Sequence, residues 1–474
     1  MSSADPATPA LELAAALRRR ELSAVELLDA CLEAVDARNG DVNAIVWRDD
    51  EAARASARHA DEARARGEDA AFLGVPIPIK DLTPVAGWPV TYGSRGGPKG
   101  VSHEGELTTE ALRRAGFVLC GRTNTPEFGP ITVTENDRYG ITRNPWDLDR
   151  TPGGSSGGAA AAVAAGMFPV AHATDGGGSI RIPAACCGLV GLKPSRGRVP
   201  RLAQSWMGGV VEGAVTRTVA DTAAILDVLS GWDRNAWYSA PEPDRPFLEE
   251  AGRDPARLRI GLMAHGPGGM PVEPACAEAA RRAAAALEEQ GHDVFEADFP
   301  TLSEDLVEPF LIIIKAALAD YDDVDWDAVE PHIAAQRADA LATSSWDYAL
   351  AARTLERKSR DLVAAWGADF DVLVTPTTAI LPPPAGAVLE QVHAQPDAPS
   401  PIVLAMVTFT VFANITGLPA ISLPVHWTDE GVPAGAQLVG SPFCEAQLIR
   451  LAHVLEQALP WADRRPALAV TSPG

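Results

Sequence analysis

The sequence predicts an α/β fold with a large, twisted, mixed and mostly parallel central sheet, covered by helices on both faces. Three observations carry this. Short apolar stretches of strand length alternate with longer segments of helical period from about residue 72 onward. Glycine clusters punctuate the joins, most densely at 153–158 and 176–178. Of the 474 residues, 46% are hydrophobic, enough for a sizeable core and too many for a disordered chain.

Taken in order, residues 10–65 read as helices. Ser23 with Glu26 three positions on is a capping-box signature, and Leu27, Leu28, Cys31, Leu32 and Val35 follow at helical spacing. The 49–66 stretch mixes Ala and Arg with Asp and Glu, as a solvated helix does. GVPIPIKD (74–81) alternates apolar residues and reads as a strand delivering Lys80 and Asp81 at its end. A helix over 107–115, a buried strand over 117–120, a helix after Gly157 and Gly158, and a strand over 168–174 follow. Between 231 and 370 the Ala-rich stretches 275–290 and 332–366 predict a helical excursion from the sheet, not an independent domain. The whole of 1–474 is therefore expected to be one unit, with its chemistry in a core over 70–230. Residues 382–401, rich in Pro and Ala, read as a loop or lid; ISLPV (421–425) is a strand and 444–459 a final helix.

Charge and cysteine usage exclude several classes of function. Lys plus Arg is 40 against 63 Asp plus Glu, a net charge of −23, so nucleic acid and anionic membranes are not expected partners. No apolar run reaches membrane-span length, and the one at 310–314 ends at Lys315. The opening MSSADPATP lacks the basic start and apolar stretch of a secretory leader, and a cytoplasmic location is expected. Six cysteines (31, 120, 186, 187, 276 and 444) show no CxxC and no zinc spacing, so neither a disulfide framework nor a metal or cofactor is expected.

The chemistry concentrates in TPGGSSGGAAAAV (151–163) and ATDGGGSIRIPAACCG (173–188). A phosphate loop is excluded by its missing G-x-x-x-x-G-K-[ST], since Lys193 is followed by Pro194. Gly153–Gly157 formally satisfies G-x-S-x-G, but the polar WDLDRTP before it is no strand, and His426 and His453 lack supporting context as triad partners. A small-residue packing segment explains the glycines and alanines and leaves two separate serine motifs unexplained. The remaining reading joins Lys80, the serine pair at 155 and 156, and Ser179.

PIPIKD (76–81), GGSSGG (153–158), the D-x-G-G-S-I-R-x-P stretch at 175–183 and GLVGLKPSRGRVP (188–200) resemble the amidase signature family, with its fold. TNTPEFG (123–129), LVTPT (373–377) and GLPAISLPV (417–425) extend the resemblance over most of the chain. RTNTPEFG, TRNPWDL (142–148) and ALPWADRRP (458–466) are similar to the branch that hydrolyses cyclic nylon oligomers. The resemblance implies a Ser–cisSer–Lys triad of Ser179 as nucleophile, Ser155 as relay with a cis peptide bond, and Lys80 as base. It implies no histidine, which leaves His172 as a packed residue, and Cys186 and Cys187 as core residues.

Three glycines before Ser179 let amides approach one oxygen, so Gly176, Gly177, Gly178 and Ser179 are the expected oxyanion hole. Asp175 and Arg181 are expected to pair and stiffen this loop, with Ser156 supporting. Gly176 departs from the family, which usually carries Ile or Thr there, and this predicts a looser loop and a roomier site. Substrate walls are expected from Thr125, Phe128, Gly129, Pro130, Trp206, Met207, Pro376 and Thr377. The expected substrate is a small neutral amide: aryl amides, cyclic or linear oligoamides, or carbamates. The alternative is the A subunit of a tRNA-dependent amidotransferase, a glutaminase acting with a partner. Homodimers are common in such families.

Overall fold

In a computed structural model, residues 4–470 are described. The opening stretch read above as lacking a leader begins in residues 1–3, outside the described residues. The capping box forms as its spacing dictates: Ser23 caps helix Ala24–Val42, accepting from the Glu26 amide while the Glu26 carboxylate takes the Ser23 amide. Helices Asp50–Ala65, Leu107–Arg114, Gly157–Ala164 and Glu445–Ala458 and strands Pro76–Lys80, Val118–Thr123, Ala171–Asp175 and Ala420–Trp427 lie where the periodicity puts them.

The central sheet has eight strands. From one edge they run Asp293–Glu296, Arg259–Leu262, Val372–Pro376, Pro433–Gly440, Ala420–Trp427, Val190–Lys193, Val211–Thr216 and Ala171–Asp175. The sheet is mixed, and here the expectation of mostly parallel pairing fails. Only the pairings of Arg259–Leu262 with its two neighbours are parallel; the other five are antiparallel. Periodicity marks a strand but not its direction, which depends on how the chain returns to the sheet. Two strands of this sheet, Arg259–Leu262 and Asp293–Glu296, come from the 231–370 segment, so that segment is not a purely helical excursion. Each has four residues, too short to stand out among Ala-rich helices.

Alternation along the two central hairpin strands covers both faces. Ile421, Leu423, Ala434, Ala436 and Leu438 join the core containing the Ala-rich helix Pro274–Glu289 and helix Glu445–Ala458. On the other face Gly435 lets helix Arg181–Cys187 approach, with Ala185 Cβ 2.7 Å from where its own Cβ would stand. Residues 382–401 are not an open loop: they include helix Ala387–Ala394, whose Val388 and Val392 enter the core beside Ile180 and Ile182. The Glu135 carboxylate holds its start, accepting the Gly386 and Leu389 amides. Among the described residues no helix is long and apolar enough to cross a membrane.

Candidate active site

Three elements meet at the site. Strand Pro76–Lys80 belongs to a separate three-stranded sheet and is buried throughout, so its last side chain enters the interior. Ser155 precedes helix Gly157–Ala164, and the Gly154–Ser155 peptide is cis. Gly158 lets that helix settle on the backbone of Asn124, whose amide N and O are 2.4 and 2.6 Å from where a Cβ would sit. Ser179 lies in the loop after strand Ala171–Asp175, which runs beside Pro76–Lys80.

Lys80 is fully buried. Its Nζ donates to Ser155 Oγ at 2.7 Å, Ser156 Oγ at 2.8 Å and Thr174 Oγ1 at 2.9 Å. No carboxylate lies within ion-pair distance of it among the described residues. Burial therefore dominates, and the amine falls to about 7, with the more distant Glu212 and Asp175 opposing. Ser156 Oγ also donates to the Thr174 carbonyl at 3.1 Å, which commits its only hydrogen. Ser179 is half-buried, and its carbonyl takes the Ser156 amide at 3.3 Å.

The expected Asp175–Arg181 pair forms in full. Arg181 Nη2 and Nε reach Asp175 Oδ1 and Oδ2, both at 2.9 Å, with both residues fully buried. Burial alone would raise the Asp175 carboxyl, but the Arg181 guanidinium together with Lys193 and the Asn414 amide outweighs it and holds the group well below the usual carboxylate range. Asp175 also accepts the amides of Gly178 (2.8 Å) and Ile180 (3.1 Å). The Gly178 amide is thus already committed, and the oxyanion set expected from the glycine run loses that donor. The amides of Gly176, Gly177 and Ser179 have no protein acceptor among the described residues.

The looser loop expected at Gly176 is not found either. The Trp206 ring fills the space, with Cζ3 and Cε3 2.7 and 2.8 Å from where a Cβ would stand. Trp206 and Met207, both in the left-handed region at φ 52° and 55°, line a cleft of about 340 Å³ with Phe310, Leu355 and Ile415 and with the charged Arg196, Glu356 and Arg360. Gly129 also reaches the site, its Cβ position 3.5 Å from Ser155 Oγ, and Pro130 beside it is half-buried. The other expected wall residues are buried. Phe128 is 3% exposed among Tyr92, Tyr321 and Trp326. Thr125, Pro376 and Thr377 are buried, and Thr377 Oγ1 bonds Ser422 at 2.8 Å. His172 is a packed residue, its Nε2 2.7 Å from Glu212; Cys186 and Cys187 are core.

Sequence reasoning misses Thr174, the third oxygen on Lys80, although it stands inside the quoted ATDGGGSIR stretch. It also misses Asn414, which donates to the Asp175 carbonyl (2.9 Å) and Oδ1 (2.8 Å), and Gln437, which accepts from Arg181 at 2.7 Å. These two lie more than 230 residues from their partners and carry no local signal.

A family model described as Amidase matches residues 26–449. The 6-aminohexanoate-cyclic-dimer hydrolase of Pseudomonas sp. (strain NK87) is 38% identical, over 99% of this chain and 98% of that protein. A solved structure of 6-aminohexanoate cyclic dimer hydrolase complexed with substrate superposes with a TM-score of 0.91 at 35% identity, covering 98% of this chain and all of that one. A bacterial aryl acylamidase structure gives 0.88 at 27% identity, with full coverage of both chains. A match spanning nearly the whole chain, with solved structures superposing closely over it, leaves one assignment: the chain belongs to the amidase signature family, hydrolases acting on amide C–N bonds.

Proposed function

We propose that this enzyme hydrolyses neutral amides, including aryl amides, cyclic or linear oligoamides and carbamates, through an acyl-enzyme on Ser179. The observation that carries the reading is the amine of Lys80, buried, without a carboxylate partner and held near neutrality among three hydroxyls. A neutral amine has two N–H groups and one lone pair. Ser156 Oγ, whose hydrogen goes to the Thr174 carbonyl, can only accept from it. With Ser156 and Thr174 Oγ1 accepting the two N–H groups, the lone pair faces the remaining hydroxyl, Ser155. Ser155 is therefore the relay and Ser156 the fixed support.

In the acylation step Ser179 Oγ attacks the carbonyl carbon as its proton passes to Ser155 Oγ, whose own proton passes to Lys80 Nζ. The oxyanion is met by the free amides of the 176–179 loop. Collapse breaks the C–N bond, and the leaving nitrogen takes the proton back along the same relay. Water then repeats the sequence on the acyl-enzyme, releasing the acid. A carbamate presents the same carbonyl, so it needs no added group. The Trp206–Phe310 pair, ring centroids 5.9 Å apart, offers an aromatic face to aryl or aliphatic substrates in a cleft whose far side carries Arg196, Glu356 and Arg360. The free cysteines, five of the six buried, fit a reducing, cytoplasmic setting.

The test is release of aromatic amine from a matched acyl anilide and aryl carbamate, with Ser179→Ala as the blank. Turnover of both, lost in the variant, is the expected result. Turnover of the anilide alone removes the carbamate from the proposal. Activity surviving in Ser179→Ala overturns the triad, and glutamine hydrolysis that needs a partner protein would replace this reading with the amidotransferase one.

A further inference from the structure

A second cluster of buried donors lies apart from the serines. We propose that Glu330, His332 and His393 form a binding site for a divalent transition-metal ion, zinc by its donor set, which clasps helix Pro331–Ala342 to helix Ala387–Ala394. The donor atoms of the three lie within 4.8 Å of one another. Glu330 Oε2 is 3.5 Å from His332 Nδ1 and 3.4 Å from His393 Nε2. The His393 contact is a long hydrogen bond, and the His332 contact does not qualify as one. Both separations match the roughly 3.3–3.4 Å edge of a tetrahedron whose legs are the ~2.0–2.1 Å of zinc–nitrogen and zinc–oxygen bonds.

The second observation is the state of His332. It is 2% exposed, and neither ring nitrogen has a hydrogen-bond partner. A buried imidazole without partners is costly, and a nitrogen facing a carboxylate oxygen and a second imidazole is well placed to ligate a cation. The carboxylate is held from behind as a ligand should be: its Oε1 accepts the Asp137 amide at 2.8 Å, turning Oε2 toward the histidines. Glu127, whose carboxylate takes the Glu330 amide at 2.6 Å, fixes the backbone behind that ligand. Among the described residues no lysine or arginine is within ion-pair distance of Glu330, so no resident cation competes. Two histidines and one carboxylate, a borderline nitrogen and oxygen set, suit zinc over calcium or magnesium. The sequence hides this site because its histidines stand on two helices far apart in the chain.

The clasp adjoins the catalytic region. Ile333, next to His332, packs in one apolar cluster with Phe128, and Gly129 beyond Phe128 abuts Ser155.

The experiment is zinc titration of chelator-treated full-length protein, read by metal content after desalting, by the visible bands of a cobalt-substituted sample and by thermal midpoint. The expected result is one zinc per chain, tetrahedral cobalt bands and a raised midpoint. His393→Gln, at the half-buried position, and Glu330→Gln should each weaken zinc binding by at least the ~10–100-fold that even outer-shell partners carry. Ser179→Ala should bind zinc as the parent does, which separates this proposal from the catalytic one. If the folded parent retains no zinc at micromolar concentrations, or if folded His393→Gln retains it equally, the site is an ordinary histidine–carboxylate cluster and the proposal fails.

Discussion

The Trp206 indole takes the space that a side chain on residue 176 would need, its ring carbons standing 2.7 and 2.8 Å from that Cβ position. Glycine at 176 is therefore not slack in the loop before Ser179 but one half of an exchange, with the bulk supplied from the 203–209 loop. Gly176→Ala must push the ring, at a cost of about 1–3 kcal/mol for overpacking, and should lower both thermal midpoint and kcat/KM. Trp206→Ala opens the wall. The double variant should recover part of the loss, with a coupling of about 0.5–3 kcal/mol in a double-mutant cycle. Strict additivity would mean that the two positions do not share the space.

The lysine sets the pH profile. With its amine near 7, Lys80 is protonated and idle below that pH and a free base above it, so kcat/KM should rise along one limb with an apparent pKa of about 7 and then level off. Lys80→Ala removes both the activity and the limb. A flat profile between pH 6 and 9 in the parent enzyme would contradict a buried, titrating base.

Adjacent serines with different roles give the sharpest test of the proton path. Ser155→Ala breaks the relay and should cost on the order of 10³-fold or more in kcat, near the upper range for proton-transfer groups. Thr174→Val removes an acceptor from a Lys80 N–H, and Ser156→Ala removes one together with the Ser156 bond to the Thr174 carbonyl. Each should cost about 10–100-fold, the equivalent of one or two buried hydrogen bonds, while displacing the pH limb. Equal losses at 155 and 156 would mean that the hydrogen of Ser156 is not committed to the Thr174 carbonyl.

The residues of the candidate site could be picked out because each sits in a short local motif: a strand end for Lys80, and glycine runs for Ser155 and Ser179. Helix and strand positions were legible for the same reason, since periods of 3.6 and 2 are local properties. What escaped was non-local. Strand direction depends on chain return, so the sheet came out largely antiparallel. The Gly178 amide looked available until the Asp175 carboxylate was seen to accept it. Trp206 filling the gap at Gly176, and Asn414 bracing Asp175 from 239 residues away, follow only from packing.

That bracing makes Asp175 the support on which the loop carrying Ser179 rests. Its two oxygens gather the Arg181 guanidinium, the Asn414 amide and the backbone amides of 178 and 180. Asp175→Asn keeps the shape but removes the charge opposite a buried arginine, and leaving that arginine unpaired should cost about 3–5 kcal/mol. The sign with pH follows from linkage. The folded carboxyl lies below its ordinary value of 3.8, so its contribution is complete above that pH and fades as the pH falls below it. Urea midpoints at pH 6 and pH 3 should therefore show a wide gap between parent and variant at the first and a narrower one at the second. A gap of equal width at both would assign the loss to shape and not to charge. Ser179 rides on this loop, so the variant should also lose kcat at pH 8, where it remains folded in the absence of urea, and Arg181→Lys should recover little because a single ammonium cannot reach both carboxylate oxygens, Thr410 and Gln437 at once.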